Sequence, residues 1–500
     1  MDLSNMKTIP LLIITMLSAL QTGAKTSGNL AWLFAQNESV EISKIENSFE
    51  ATTISFITKK NIGQSFCIGH GIYIVGDDGE RHHVIGAKGI KLDSLYVLTP
   101  AQRMKFSVSF TPVSKSNKAI DICEPEGFSV YGLHNSRQPL IIPKVKGVYA
   151  MEEMDYSLYK SGMVEIEGVL HGEKDVLCDT VRAFFSSVLL RNTPINDSGQ
   201  YAKVSADGHF KMAFEIEAPC EIDFRCQKNP YVIGTIFVRP GDRIHIDLYK
   251  ERKEGMALSY RNQSGRKAYN RLANAPFRFF DDSKFYFNLN HNFGDFSYEQ
   301  HRDGLMNGWV IDLDFANYIC WHYRLSPHEI QYYIDKINYH YVEYLIKMDN
   351  KAERNFAFAQ SDEERKTYNK IVSKMDYAYL KRIDPNNRLA LNTGRFGRSA
   401  MFYVSALNPI EECIDKVPST DPDLWLKVIE LQKEALNGIT GWKGMTLVLE
   451  CIIVATAQII WSKNPDTTKH YNQVREMLTH PLSRASLDQM YREWSNIYPL

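Results

Sequence analysis

The groups best placed to do chemistry in this 500-residue chain are its eight cysteines, and their spacing limits what they can do. They stand at Cys67, Cys123, Cys178, Cys220, Cys226, Cys320, Cys413 and Cys451. A dithiol redox site needs Cys-x-x-Cys, so that one thiolate attacks and its neighbour resolves the mixed disulfide. No two are spaced so, and no set has zinc-ligand spacing. Two pairs suit a structural disulfide: Cys220 with Cys226, near enough to bridge a turn, and Cys67 with Cys123, in one β region. Buried thiols are the competing reading for all four.

Other chemistry-bearing residues are sparse. His82 and His83 are neighbours in a strand pattern and point to opposite faces, so they cannot share a metal. The chain has no His-Glu-x-x-His, no Gly-x-Ser-x-Gly elbow and no Gly-x-x-x-x-Gly-Lys loop. No catalytic residue, cofactor or metal ligand is assigned from these motifs. Asp312 and Asp314 would share one face if Val310 to Phe315 is a strand. Such a pair could do acid–base work or hold a cation, although a half-exposed strand shows the same alternation. From Phe277 to Tyr323 aromatic residues crowd together with interleaved Asn, Asp and His. Exposed, this segment would make a glycan- or peptide-binding surface, with Trp309, Trp321 and Tyr323 as the candidate binding residues. Buried, the same rings would pack a β region against helices.

The elements that must position these groups follow from composition and pattern. At 44% hydrophobic and 23% charged, the chain is that of a folded globular protein of several domains. A formal net charge of -1 removes the electrostatic footprint of a general nucleic-acid binder. Met6 to Ala24 has a lone Lys7, an apolar run from Ile9 to Leu20, and then small residues. That is the pattern of a secretory signal over residues 1–24, which predicts an exported chain in the periplasm or cell envelope. Thr446 to Trp461 is also apolar but is interrupted by Glu450 and Gln458, so it reads as a buried helix rather than a membrane span.

Residues 25–140 are predicted as an antiparallel β-sandwich. Thr52, Ile54 and Phe56 share a face by period two, and Gly76-Asp77-Asp78-Gly79 reads as a hairpin loop. Asn135 to Asp155 reads as a linker. Residues 155–252 are predicted as a second small sandwich. Asp207-Gly208 reads as a hairpin turn, and Arg239-Pro240-Gly241-Asp242 as a turn into Ile244, Ile246 and Leu248. Residues 260–500 are predicted as mostly helical. Ser326-Pro327-His328-Glu329 and Ser361-Asp362-Glu363-Glu364 are capping boxes. Asp421-Pro422 opens a further helix that Gly438 closes.

The order of these segments resembles a known family. A β region opening near Trp32 carries the Val75 to Gly79 turn and the strands Phe106 to Phe110 and Phe128 to Gly132. A second carries Asp207-Gly208-His209-Phe210 and Arg239 to Ile244, and a helical segment follows. This is similar to the long N-terminal, non-thioredoxin portion of exported TlpA/ResA-like thiol:disulfide oxidoreductases. The resemblance implies a thioredoxin domain with Trp-Cys-x-x-Cys beginning about where Tyr498-Pro499-Leu500 stand, so the family's catalytic cysteines have no counterpart here. A split gene product or a stand-alone accessory protein acting beside a thioredoxin-like partner in cell-redox homeostasis is then expected.

Overall fold

The computed structural model describes residues 25–27, 29–36, 40–58, 65–77, 79, 81–97, 103–124, 128–149, 162–171, 179–185, 200–216, 220–226, 229–251, 255–262, 297–357, 359–372, 377–387, 413–418, 420–421, 423–463 and 466–497. The secretory-signal reading, Cys178 and the aromatic stretch up to residue 296 lie outside the described residues. The architecture is a large β-rich region, almost wholly antiparallel, followed by a helical region.

In the first β unit the strands form one continuous hydrogen-bonded order. These are β1 (Lys25–Ser27), β2 (Leu30–Trp32), β3 (Phe34–Gln36), β4 (Val40–Asn47), β5 (Thr52–Thr58), β6 (Ser65–Phe66), β7 (Tyr73–Gly76), β8 (Arg81–Lys88), β9 (Tyr96–Val97), β10 (Lys105–Phe110), β11 (Ile120–Cys123) and β12 (Ser129–Asn135). The path runs β1-β2-β12-β11-β7-β8-β10-β5-β4, with β3 also on β12 and a small β6–β9 ladder apart. Its two ends, around Trp32 and Ile42, pack on the same core, so the sheet curls back on itself. Period-two alternation works as expected: Ile54 and Phe56 are buried, and Phe56 stacks on Phe106 with ring centroids 5.1 Å apart. The Gly76–Gly79 turn does join a hairpin, with Val75 opposite Arg81.

The second β unit holds two four-stranded sheets, β16-β13-β19-β20 and β15-β14-β17-β18. Their ranges are β13 (Gly162–His171), β14 (Thr180–Phe185), β15 (Gln200–Lys203), β16 (His209–Ile216), β17 (Cys220–Cys226), β18 (Asn229–Val238), β19 (Arg243–Glu251) and β20 (Gly255–Asn262). Both contribute to one apolar cluster that includes Val164, Ala183, Phe214, Phe224 and Ile246. The Asp207-Gly208 turn differs from its expected role. It joins β15 to β16, which belong to different sheets, so it is a crossing rather than a hairpin. The Pro240-Gly241 turn likewise carries the chain from β18 to β19. Gly208 has φ 87°, and a Cβ there would lie 2.3 Å from the Leu170 carbonyl oxygen. Gly208→Ala is therefore expected to cost roughly 2–3 kcal/mol, from a left-handed backbone plus a clash with main chain that cannot retreat. A thermal melt of the variant that superposes on the parent would refute this.

The helical region contains α1 (Tyr298–His322), α2 (Pro327–Ala357), α3 (Asp362–Val372), a 3₁₀ turn (Tyr377–Arg382), α4 (Leu424–Thr440), α5 (Leu447–Lys463), α6 (Thr467–Met477) and α7 (Pro481–Ile497). The Ser326 N–H and hydroxyl both donate to the Glu329 carboxylate, and the Ser361 hydroxyl accepts from the Glu364 N–H. Gly441, with φ 73°, closes α4, while Gly438 lies inside it. Among the described residues no helix is long and apolar enough to cross a membrane. The segment expected as a linker is partly a strap laid on α1. The Val145 N–H donates to Asn317 Oδ1 at 2.7 Å, and Tyr149 Oη–H donates to Asp314 at 2.8 Å. The first β unit packs on the same helix through Phe34 and Tyr131, whose rings meet Phe315 edge-on at 5.2 and 5.0 Å.

Candidate functional site

Asp312 and Asp314 belong to α1, not to a strand. On a helix, positions two apart point to different sides. Asp312 is buried and accepts from Tyr341 Oη at 2.5 Å, whereas Asp314 faces the strap. The two carboxylates therefore do not form a pair.

The aromatic candidates are core. Trp309 and Tyr323 are fully buried, and Trp321 is half-buried against the same cluster. Trp309 stacks on Tyr341 at 5.6 Å, donates from Nε1 to Asn338 at 3.0 Å, and carries the Arg382 guanidinium 4.7 Å from its ring. The surface reading is thus corrected for Trp309, which joins α1 to α2 and the 3₁₀ turn, and for Tyr323, which is buried beside Asp121 and Tyr73 of the first β unit, while Trp321 keeps part of its ring exposed.

Neither disulfide forms. Cys67 and Cys123 are thiols. Cys220 and Cys226 open and close one seven-residue strand, which separates their Cα atoms by roughly 20 Å, far beyond the reach of a disulfide. Burial pushes the Cys320 and Cys451 thiols well above the usual range, so neither supplies a thiolate at neutral pH.

Buried carboxylates act as struts. Asp121, at the seam between the first β unit and α1, accepts from Tyr318 Oη at 2.5 Å and from the Gly132 N–H at 2.9 Å. Burial raises its pKa, against the opposing charge of His322. The His322 ring lies 3.7 Å from Asp121 and 3.5 Å from Asp77. Asp349 takes Tyr298 Oη at 2.6 Å and Tyr379 Oη at 2.8 Å. Each of these acids is held inside the protein by hydrogen bonds from its own chain, where no substrate reaches it.

The open chemistry lies on the outer face of the second β unit. A shallow cavity of about 630 Å³ is lined by Glu167, Gly168, Lys203, His209, Phe210, Lys211 and His245. Antiparallel pairing sets Lys211 opposite Glu167, and parallel pairing sets His245 on its other side. Lys211 Nζ donates to Glu167 at 2.6 Å, and this bond with the carboxylate's charge raises the lysine pKa. Asp207 lies 3.7 Å from His209, and Glu165 lies 3.6 Å from Arg243. Among the described residues no group of three or more His, Cys, Asp or Glu side chains is placed to hold a metal ion. Glu165 and Glu167 alternate with the apolar Val164 and Ile166 in the sequence, whereas their neighbour across the sheet leaves no local signal, because the parallel pairing spans some 80 residues.

No protein-family model matches the chain, and no curated protein matches it significantly.

Proposed function

We propose that this chain is a non-catalytic exported protein of the periplasm or cell envelope that binds or docks a partner. The two β units, read as sandwich modules, are presented by the helical region. The observation that carries the reading is the contrast between acids and thiols locked in the interior and the open, mixed-charge cavity around Glu167. Groups so arranged recognise more readily than they react. The Met6 to Ala24 pattern supports export. The similarity of segment order to the non-thioredoxin portion of TlpA/ResA-like oxidoreductases makes a separate thioredoxin-like protein the favoured partner, with a role in cell-redox homeostasis through it.

The purified chain is expected to leave insulin disulfides unreduced, while the tagged chain retains a thioredoxin-fold protein from envelope extract. Insulin reduction by the chain alone would overturn the non-catalytic reading. Retention of no such protein would count against the docking partner. A peptide-binding module is the second reading, favoured by the cavity rather than by the aromatic segment.

A further inference from the structure

We infer that the cavity on β16, β13 and β19 takes a carboxylate-rich extended peptide segment; this rests on the docking reading and names the chemistry of what docks. Four nitrogen-bearing side chains, Lys203, His209, Lys211 and His245, surround a single lining carboxylate, Glu167. Lys211 gives one N–H to Glu167 and keeps two more donors for a ligand. Lys203 is exposed and has no acidic partner among the described residues. Arg243 adds a further cation one row along the sheet, paired loosely to Glu165 at 3.6 Å. Two Lys outnumber one Glu in the lining, so an anionic occupant complements it.

Shape supports an extended chain. Gly168 and Phe210 pair across β13 and β16, and the Phe210 ring turns inward from the cavity face to the apolar cluster, close over the glycine: a Cβ at Gly168 would be 2.2 Å from Phe210 Cζ. A larger residue at 168 would therefore push that ring within the core, not on the cavity face. His209 and Lys211 are exposed on the same face, two residues apart on β16. That separation is about 6.8 Å, the interval at which alternate side chains recur along an extended peptide. Carboxylates at positions i and i+2 of such a segment fall in step with His209 and Lys211. The opposing charges nearby are Asp207, 3.7 Å from the His209 ring, and Glu165, which already has the Arg243 guanidinium beside it. Asp247 and Arg261 take register positions on β19 and β20 next to this row.

Fluorescence anisotropy with the full chain and a labelled Glu-Thr-Glu-Thr-Glu-Thr peptide tests this at low salt. The acidic peptide is expected to bind, and a Gln-Thr repeat to bind at least tenfold more weakly. K203E/K211E should weaken the acidic peptide at least tenfold, while E167Q should tighten it several-fold, a gain that misfolding cannot imitate. Equal binding by K203E/K211E, or weakening by E167Q, overturns the inference. So does binding to phosphatidylglycerol vesicles in the absence of peptide binding, which would move the site to a lipid headgroup. A thioredoxin-fold partner held undiminished by K203E/K211E would remove the acidic segment and leave docking intact. Peptide binding with no partner held would remove the thioredoxin-like partner alone.

Discussion

Replacing Asp335 with asparagine is expected to stabilise the helical region by an amount that grows from near zero at pH 4 to roughly 4 kcal/mol at pH 8. Asp335 is buried on α2, accepting from Asn387 Nδ2 at 2.6 Å and from Gln331 Nε2 at 2.8 Å. Burial pushes its carboxyl from 3.8 up to about 7, helped by the charge of Asp384 and opposed by those two hydrogen bonds. The folded state therefore holds a proton that the unfolded chain releases between about pH 4 and 7. Stability from this group is complete below that window and is lost as pH rises through it. Asparagine copies the protonated acid: its oxygen accepts from Asn387, and its amide donates once Gln331 presents its oxygen. Six of the seven tryptophans lie in the helical region, so their fluorescence during urea unfolding reports on it. A stabilisation that is the same at pH 4.5 and pH 8 would sink the argument.

What the sequence made legible depended on how local the determinant was. Ser326 and Glu329 sit three residues apart and meet across one helical turn, so their pattern maps directly onto structure. Thr52, Ile54 and Phe56 share one buried face because a strand has period two whatever its neighbours. Asp312 and Asp314 misled because a short alternation was overridden by a longer stripe, in which Leu305, Trp309, Ala316 and Cys320 are buried on one helix. Asp207-Gly208 makes the turn its residues predict but not a hairpin. Turn chemistry is decided by a few residues, but which strand each arm pairs with is decided by the second sheet. The cavity was the least legible, since Lys211, Glu167 and His245 come from three strands and one of the pairings is parallel.

His470 supplies the opposite slope, and His470→Phe is expected to expose it. The ring is buried on α6 with Trp425 edge-on at 5.4 Å and Trp461 at 6.5 Å, and neither nitrogen has a hydrogen-bond partner among the described residues. Burial pushes its pKa from 6.5 down to about 4. Here the unfolded chain binds the proton that the folded one refuses, so stability is complete above pH 6.5 and is lost as pH falls toward 4. Phenylalanine keeps the ring contacts and removes two buried polar atoms. The variant should match or exceed the parent at pH 8 and gain roughly 3 kcal/mol on it at pH 4. In the parent the two groups oppose one another over nearly the same window, so its stability should vary little between pH 4.5 and 6.5. Each single variant uncovers the other group's slope: Asp335→Asn becomes acid-labile, His470→Phe weakens toward neutral pH, and the double variant is flat again. Parallel pH profiles for parent and both single variants would refute the pairing. A double variant that keeps a slope would show that a third group titrates between the two states, and Asp121 at the β–α1 seam, whose carboxyl burial pushes up, is the variant to make next.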